Sequence, residues 1–132
     1  MHKHEIIFRD LKPDNIVIDI DGHVKLTDFG LSKEGIDDNM SAKSFCGSLA
    51  YLAPEMLTMQ GHGKSVDWYL LGVLLYEMVV GQIPYYSTNK QQLLENIENA
   101  ELYFPRNLSN PLKSLILQLM DRDPQSRLGS GP

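Results

Sequence analysis

At 132 residues, with 42% hydrophobic and 22% charged side chains, the chain is the size of one modest domain and has an ordinary globular composition. A formal net charge of −5 argues against nucleic acid or an anionic membrane as main partner, and is compatible with basic peptides. The single cysteine, Cys46, excludes an internal disulfide framework; no histidine follows it locally, so it reads as packed or idle rather than catalytic.

From the N-terminus, Met1 to Arg9 alternates basic and apolar residues without the apolar stretch of a signal peptide. His2 and His4 have no third ligand nearby and read as a surface helix end or a tag-like start rather than a metal site. Next comes Phe8-Arg9-Asp10-Leu11-Lys12-Pro13-Asp14-Asn15, followed eighteen residues after Asp10 by Asp28-Phe29-Gly30. Between Asn15 and Asp28, IVIDIDGHVKLT forms two β-rich runs around Asp21-Gly22. Asp-Gly between apolar runs is a strong hairpin signal, because a type I′ turn needs positive φ at both central residues. With a two-residue loop there, Ile20 faces His23 and Asn15 faces Asp28, their Cβ atoms roughly 5 Å apart. An amide oxygen and a carboxylate at that separation suit Mg²⁺, which relies on a few protein oxygens plus phosphates and water. The period of two puts Val17 and Leu26 on the same face, bordering the metal. Taken alone, Asn15 also reads as a polar cap on an ordinary hairpin.

Leu31 to Ala50 is polar and irregular, and Pro54 to Met59 suits a short helix. Val66 to Val80 predicts a helix with Ser65 as N-cap, Gly81 at its end and Pro84 beyond. Its apolar residues cover every face, so it is buried or spans a membrane; fifteen residues containing Asp67 and Glu77 are too short and too charged to span. It is therefore the central core helix. Asn89 to Ala100 and Pro111 to Met120 predict two amphipathic helices, the second with Asn110 as N-cap and Pro111 at its first position. The fold class is mainly α (α+β), helices around a central buried helix with one or two small hairpins.

These residues together resemble eukaryotic serine/threonine protein kinases, most closely the AGC group, from about Ile6 to Gly129. Beyond the loop and the Asp-Phe-Gly triplet, the marks are Gly22-His23-Val24-Lys25-Leu26-Thr27, Ser44-Phe45-Cys46-Gly47-Ser48, Ala53-Pro54-Glu55, Asp67-Trp68 and Arg127-Leu128-Gly129. The resemblance implies the C-terminal lobe of a kinase domain over residues 1–132. Its parts are a catalytic loop at 8–15, a metal-binding triplet at 28–30, an activation segment at 28–55 and a helical remainder at 56–132. It implies transfer of the ATP γ-phosphate to Ser or Thr hydroxyls. Asp10 would accept or orient the substrate proton and Lys12 would sit by the transferring phosphate. Asn15 and Asp28 would hold Mg²⁺, and Asn15, Val17 and Asp28 would border the nucleotide. Ser44 matches a site phosphorylated by an upstream activating kinase, and its phosphate would pair with Arg9. Ser48 matches a hydroxyl that holds the catalytic Asp and Lys. Asp14 and Glu77 match positions that read basic substrate residues, although Glu77 is equally a helix-end charge facing solvent. Asp67 would anchor the catalytic-loop backbone, and Glu55 and Arg127 would form a buried ion pair.

Departures from the family pattern carry their own expectations. Phe8 stands where His or Tyr is usual and keeps the packing role. Leu49-Ala50 stands where Pro-Glu is frequent, altering the peptide-docking loop. Only seven residues precede Phe8, and none of the ten glycines falls in G-x-G-x-x-G. The nucleotide-gripping N-terminal lobe is thus expected to be absent, and the chain alone to be a marginal fold that neither binds ATP usefully nor transfers phosphate. The rival expectation is a non-catalytic kinase-like binding or regulatory module. Protein or peptide substrates, no nucleic acid, no membrane segment and an intracellular, cytoplasmic location complete the reading.

Overall fold

The computed structural model describes residues 1–31, 49–58 and 61–131. Along them run β1 (Ile16–Ile18), β2 (Val24–Leu26), α1 (Pro54–Leu57), α2 (Ser65–Val80), α3 (Lys90–Asn99) and α4 (Asn110–Leu119). Short 3-10 turns at His2–His4, Pro13–Asn15, Phe29–Leu31 and Leu49–Tyr51 link or precede these elements.

Helix α2 forms where the apolar run predicts it, and Gly81 ends it in the left-handed conformation at φ 86°, its N–H donating to the Glu77 carbonyl at 2.8 Å. Ser65 is not its cap: Lys64 occupies that position, Ser65 is the first helical residue, and no side chain closes the helix start. Val66, Tyr69, Leu70, Val73, Leu74 and Tyr76 are buried and form the core with Phe8, Leu52, Ala53, Met56, Ile116 and Met120. Each such large side chain stabilises the fold by roughly 1.5–3 kcal/mol. The final turn emerges from the core, with Met78 70% exposed, so the all-round burial expected from the sequence holds only for the earlier turns.

Helix α4 packs on α2 at very short range. A Cβ on Gly72 would lie 2.6 Å from Met120 Cγ and 3.0 Å from Leu119 Cβ, so only a glycine lets the two backbones come this close. Ser109, not Asn110, caps α4, its hydroxyl accepting from Leu112 N–H at 3.4 Å. A Ser-Asn-Pro run offers two capping side chains, and the chain uses Ser109, which leaves Pro111 at the second helical position. Asn89 caps α3 through Gln92 N–H at 3.1 Å. At the other end of α3, Arg122 donates to the Ile97 and Ala100 carbonyls, meeting acceptors that a helix end leaves without partners.

The two strands pair antiparallel with Ile16 opposite Leu26, Val17 opposite Lys25 and Ile18 opposite Val24. This register differs by one residue from the one that a two-residue Asp21-Gly22 loop requires. The loop is Ile20-Asp21-Gly22, closed by Asp19 N–H to the His23 carbonyl at 3.0 Å, with Gly22 at φ 84°. Asp19 decides it. Its Oδ1 accepts the N–H groups of Asp21 and His23 at 3.0 and 2.9 Å, and its Oδ2 meets Lys25 Nζ at 2.9 Å. A side-chain-closed turn followed by one left-handed glycine is the three-residue hairpin solution, and it needs positive φ only at Gly22. The Lys25 ammonium, then the backbone donors, hold the Asp19 carboxyl below its ordinary range.

Candidate active site

The register shift changes what faces what. Asn15 lies opposite Thr27, whose N–H donates to the Asn15 carbonyl at 2.9 Å, and not opposite Asp28. Strand alternation keeps Val17 on the Asn15 side of the hairpin. Leu26 pairs with Ile16 on the other side, packed against the core rather than bordering the site. Asp28 sits one residue past the paired segment at φ 60° and is exposed, and its Oδ1 accepts the Gly30 N–H at 3.3 Å.

Asp10 is the centre of the loop. It is 5% exposed, and Asn15, equally buried, donates from Nδ2 to both the Asp10 carbonyl and Asp10 Oδ2, each at 2.8 Å. Lys12 Nζ stands 3.3 Å from Asp10 Oδ1. Both carboxylate oxygens are therefore oriented by neighbouring side chains. Because the Asn15 amide spends both N–H bonds on Asp10, its oxygen is the atom it can offer a cation. That oxygen and the Asp28 carboxylate are each donors of the kind that a hard ion such as Mg²⁺ takes. A different carboxylate–histidine group, Asp19, Asp21 and His23, lies at the hairpin tip, where Asp19 is engaged by the turn itself.

The loop backbone is held from below by α2. Asp67, in the first turn, accepts Phe8 N–H at Oδ2 (2.9 Å) and Arg9 N–H at Oδ1 (2.8 Å). Arg9 has φ 67°, a left-handed conformation that costs an L-residue roughly 1–2 kcal/mol. The Asp67 bonds offset that cost and fix the direction in which Asp10 leaves the backbone. His2 Nε2 also donates to Asp67 Oδ2, at 2.7 Å, and its ring meets Trp68 edge-on at 5.4 Å. The sequence reading of His2 as a mere surface end is corrected accordingly. Phe8 packs edge-to-face against Phe29 of the Asp-Phe-Gly triplet, with centroids 5.2 Å apart.

Two further groups come together at the rim. The Tyr51 hydroxyl donates to Glu77 Oε2, so Glu77 is a partly buried acceptor and not a solvent-facing helix end. Burial, then this hydrogen bond, push the Tyr51 phenol well above its ordinary range, and the charges of Glu77 and Asp14 push the same way. Asp14, exposed, therefore lies within electrostatic reach of the pair. Elsewhere Arg127, 2% exposed, grips Glu55 with two bonds, Nη1 to Oε1 at 2.5 Å and Nη2 to Oε2 at 2.9 Å. It also donates to the carbonyls of Ser65 and Asp121 and lies over the Tyr69 ring at 5.0 Å. Ser44, Cys46 and Ser48 lie outside the described residues. Sequence reasoning missed Tyr51 and His2: neither belongs to a spacing pattern, and each meets its partner only through the packing of α2, 26 and 65 residues away.

The sequence pattern of the protein kinase domain matches residues 1–131. The chain is 48% identical over its whole length to the RAC-beta serine/threonine-protein kinase of Homo sapiens, of which it covers 27%, and to that of Rattus norvegicus with the same coverage. It is also 48% identical to ribosomal protein S6 kinase alpha-1 of Homo sapiens, of which it covers 18%. The chain thus spans about a quarter or less of the length of these relatives. It belongs to the protein kinase domain family, on the side of its AGC members.

Proposed function

We propose that this chain is the helical, C-terminal lobe of a serine/threonine protein kinase, and that it carries the residues that transfer the ATP γ-phosphate to a Ser or Thr hydroxyl. The observation that carries this reading is the buried Asp10 carboxylate, oriented at one oxygen by Asn15 and at the other by Lys12, on a backbone tied to α2. Asp10 takes the hydroxyl hydrogen as the oxygen attacks. Full deprotonation beforehand is unnecessary, because the phosphoryl transition state is loose. Lys12 balances negative charge on the transferring group. Asn15 and Asp28 would hold Mg²⁺, which would supply positive charge against the phosphates. Val17, 46% exposed on the Asn15 side of the hairpin, supplies apolar surface for the nucleotide base. Asp14 and Glu77 give the peptide site a negative rim suited to basic substrates.

Ser44 is the proposed acceptor for an upstream kinase, with Arg9 as its partner, and Ser48 the hydroxyl that completes the loop. Protein substrates, rather than a membrane, are the expected partners; no helix among the described residues is long and apolar enough to cross one. We assign the chain to the cytoplasm on the same reading. A binding module without catalysis has no need of a buried carboxylate oriented by an amide and an ammonium. The test is Asp10→Asn in the full-length protein. Phosphate transfer to a basic Ser peptide should fall by about 10²–10⁴ while peptide binding is kept. Undiminished transfer would overturn the assignment.

A further inference from the structure

We propose that the chain carries a second ligand site, a cavity between the ends of α3 and α4 that takes a small amphiphilic monocation, an ammonium group on an apolar body. The cavity measures about 440 Å³, within the roughly 300–1,000 Å³ of small-molecule sites. Leu102 and Phe104, from the segment after α3, and Leu117 and Met120, at the end of α4, give it an apolar lining. Leu117 is 51% exposed, so a ligand seated there would remove apolar surface from water, at roughly 25 cal/mol per Å². None of these residues belongs to the Asp10 loop or to the hairpin, and the inference does not depend on the transfer chemistry.

The charges on its border select the sign of the ligand. Glu101 and Asp121 supply two carboxylates there and Arg122 one guanidinium, which leaves one net negative charge. The guanidinium pairs with neither carboxylate, because it is turned onto α3. Its Nε donates to the Ile97 carbonyl at 2.9 Å and its Nη2 to the carbonyls of Asn96 and Ala100, and it lies over the Tyr85 ring at 5.6 Å. Burial holds the Tyr85 phenol above its ordinary range, so that wall adds no charge. Asp121 is fixed in place: Oδ1 accepts the Asp123 N–H at 2.9 Å, and its carbonyl accepts Arg127 Nε at 2.8 Å. Among the described residues, neither Glu101 nor Asp121 takes part in an ion pair. An apolar cavity bordered in this way attracts a cation and repels an anion of the same shape.

The experiment titrates the full-length protein with three probes of one shape, phenylbutylamine, phenylbutanol and phenylbutanoate. It follows the methyl signal of Met120, assigned by its loss in Met120→Leu. The amine should bind about fivefold more tightly than the alcohol, and the acid more weakly than either. Glu101→Gln combined with Asp121→Asn should bring amine and alcohol within about twofold of each other. The asparagine keeps an oxygen for the Asp123 N–H, so the turn survives. Leu117→Trp should fill the cavity and weaken both probes about tenfold. Equal binding of the three probes, an amine preference that survives the double charge variant, or a Met120 signal indifferent to the amine would overturn the proposal. If Leu117→Trp does not fold, the charge variants decide alone. A Met120 signal that moves with protein concentration rather than with probe would assign the cavity to a second copy. A capped Phe-Lys dipeptide that binds about tenfold more tightly than the amine would assign it to a peptide. Either of these results would overturn the proposal as well.

Discussion

The two flanks of the loop around Asp10 are built differently. On the α2 side, Ile7, Phe8, Arg9 and Asp10 are buried, their backbone tied to Asp67, with Arg127 and Glu55 locked into the same helical body. On the hairpin side, Val17 is 46% exposed, Phe29 50% exposed, and Asp28 is open to solvent. The difference separates two tasks. The group proposed to accept the proton is fixed in advance by packing, whereas the residues proposed to meet metal and nucleotide present themselves on an open surface. Substitutions on the first flank should therefore cost stability, whereas replacing the exposed Asp28 on the second should cost chemistry with little loss of stability.

The largest effect expected on the buried flank is at Arg127. Arg127→Leu leaves the Glu55 carboxylate unpaired in the interior and should cost about 3–5 kcal/mol, a large share of the roughly 5–15 of a whole domain. A shift in the urea midpoint measures it. Next is the contrast between the two aspartates. Asp67→Ala orphans two buried N–H groups at about 1–3 kcal/mol each, while Asp28→Ala should stay within about 0.5 kcal/mol. Equal losses at the two positions would break the distinction between the flanks.

A smaller effect sharpens it at the rim. The raised phenol of Tyr51 means that its neutral form is the one the fold favours. Its contribution is fully present below the ordinary tyrosine range and is lost as pH rises through the elevated value. Tyr51→Phe should remove that alkaline loss and one late step of tyrosinate absorbance. The smallest effect is at the hairpin tip, where the Asp19 carboxyl is held below its ordinary value of 3.8. Its contribution is present above that value and fades as pH falls through the lowered one. Asp19→Asn should abolish this acid sensitivity without touching phosphate transfer, as chemical shifts of the Gly22 and His23 amides would report.

How far the sequence could be read follows from the range of the forces involved. Helix α2 was legible because an apolar run ending in glycine encodes it locally, and Asn89 stands as the cap of α3 for a similarly local reason. The hairpin was legible as a hairpin but not in its register. Asp-Gly signals two turn geometries, and the choice between them lay in Asp19, whose side chain bonds outcompete the two-residue loop. Ser109 and Asn110 posed the same ambiguity at α4. In the site, the motif residues named themselves by spacing. Tyr51 and His2 did not, because what places them is the packing of distant segments on α2.

The double bond from Asn15 to Asp10 closes residues 10–15 into a ring, one link to the main-chain carbonyl and one to the carboxylate. A closed ring turns as a single plate. Whatever tilts the oxygen proposed to receive a proton also tilts the amide that would hold an ion, so neither can be adjusted independently of the other. Substitutions at the two positions should be epistatic, with the double replacement costing much less than the product of the single ones. For a lineage drifting away from catalysis, the first of these two residues to change removes most of the constraint on the second.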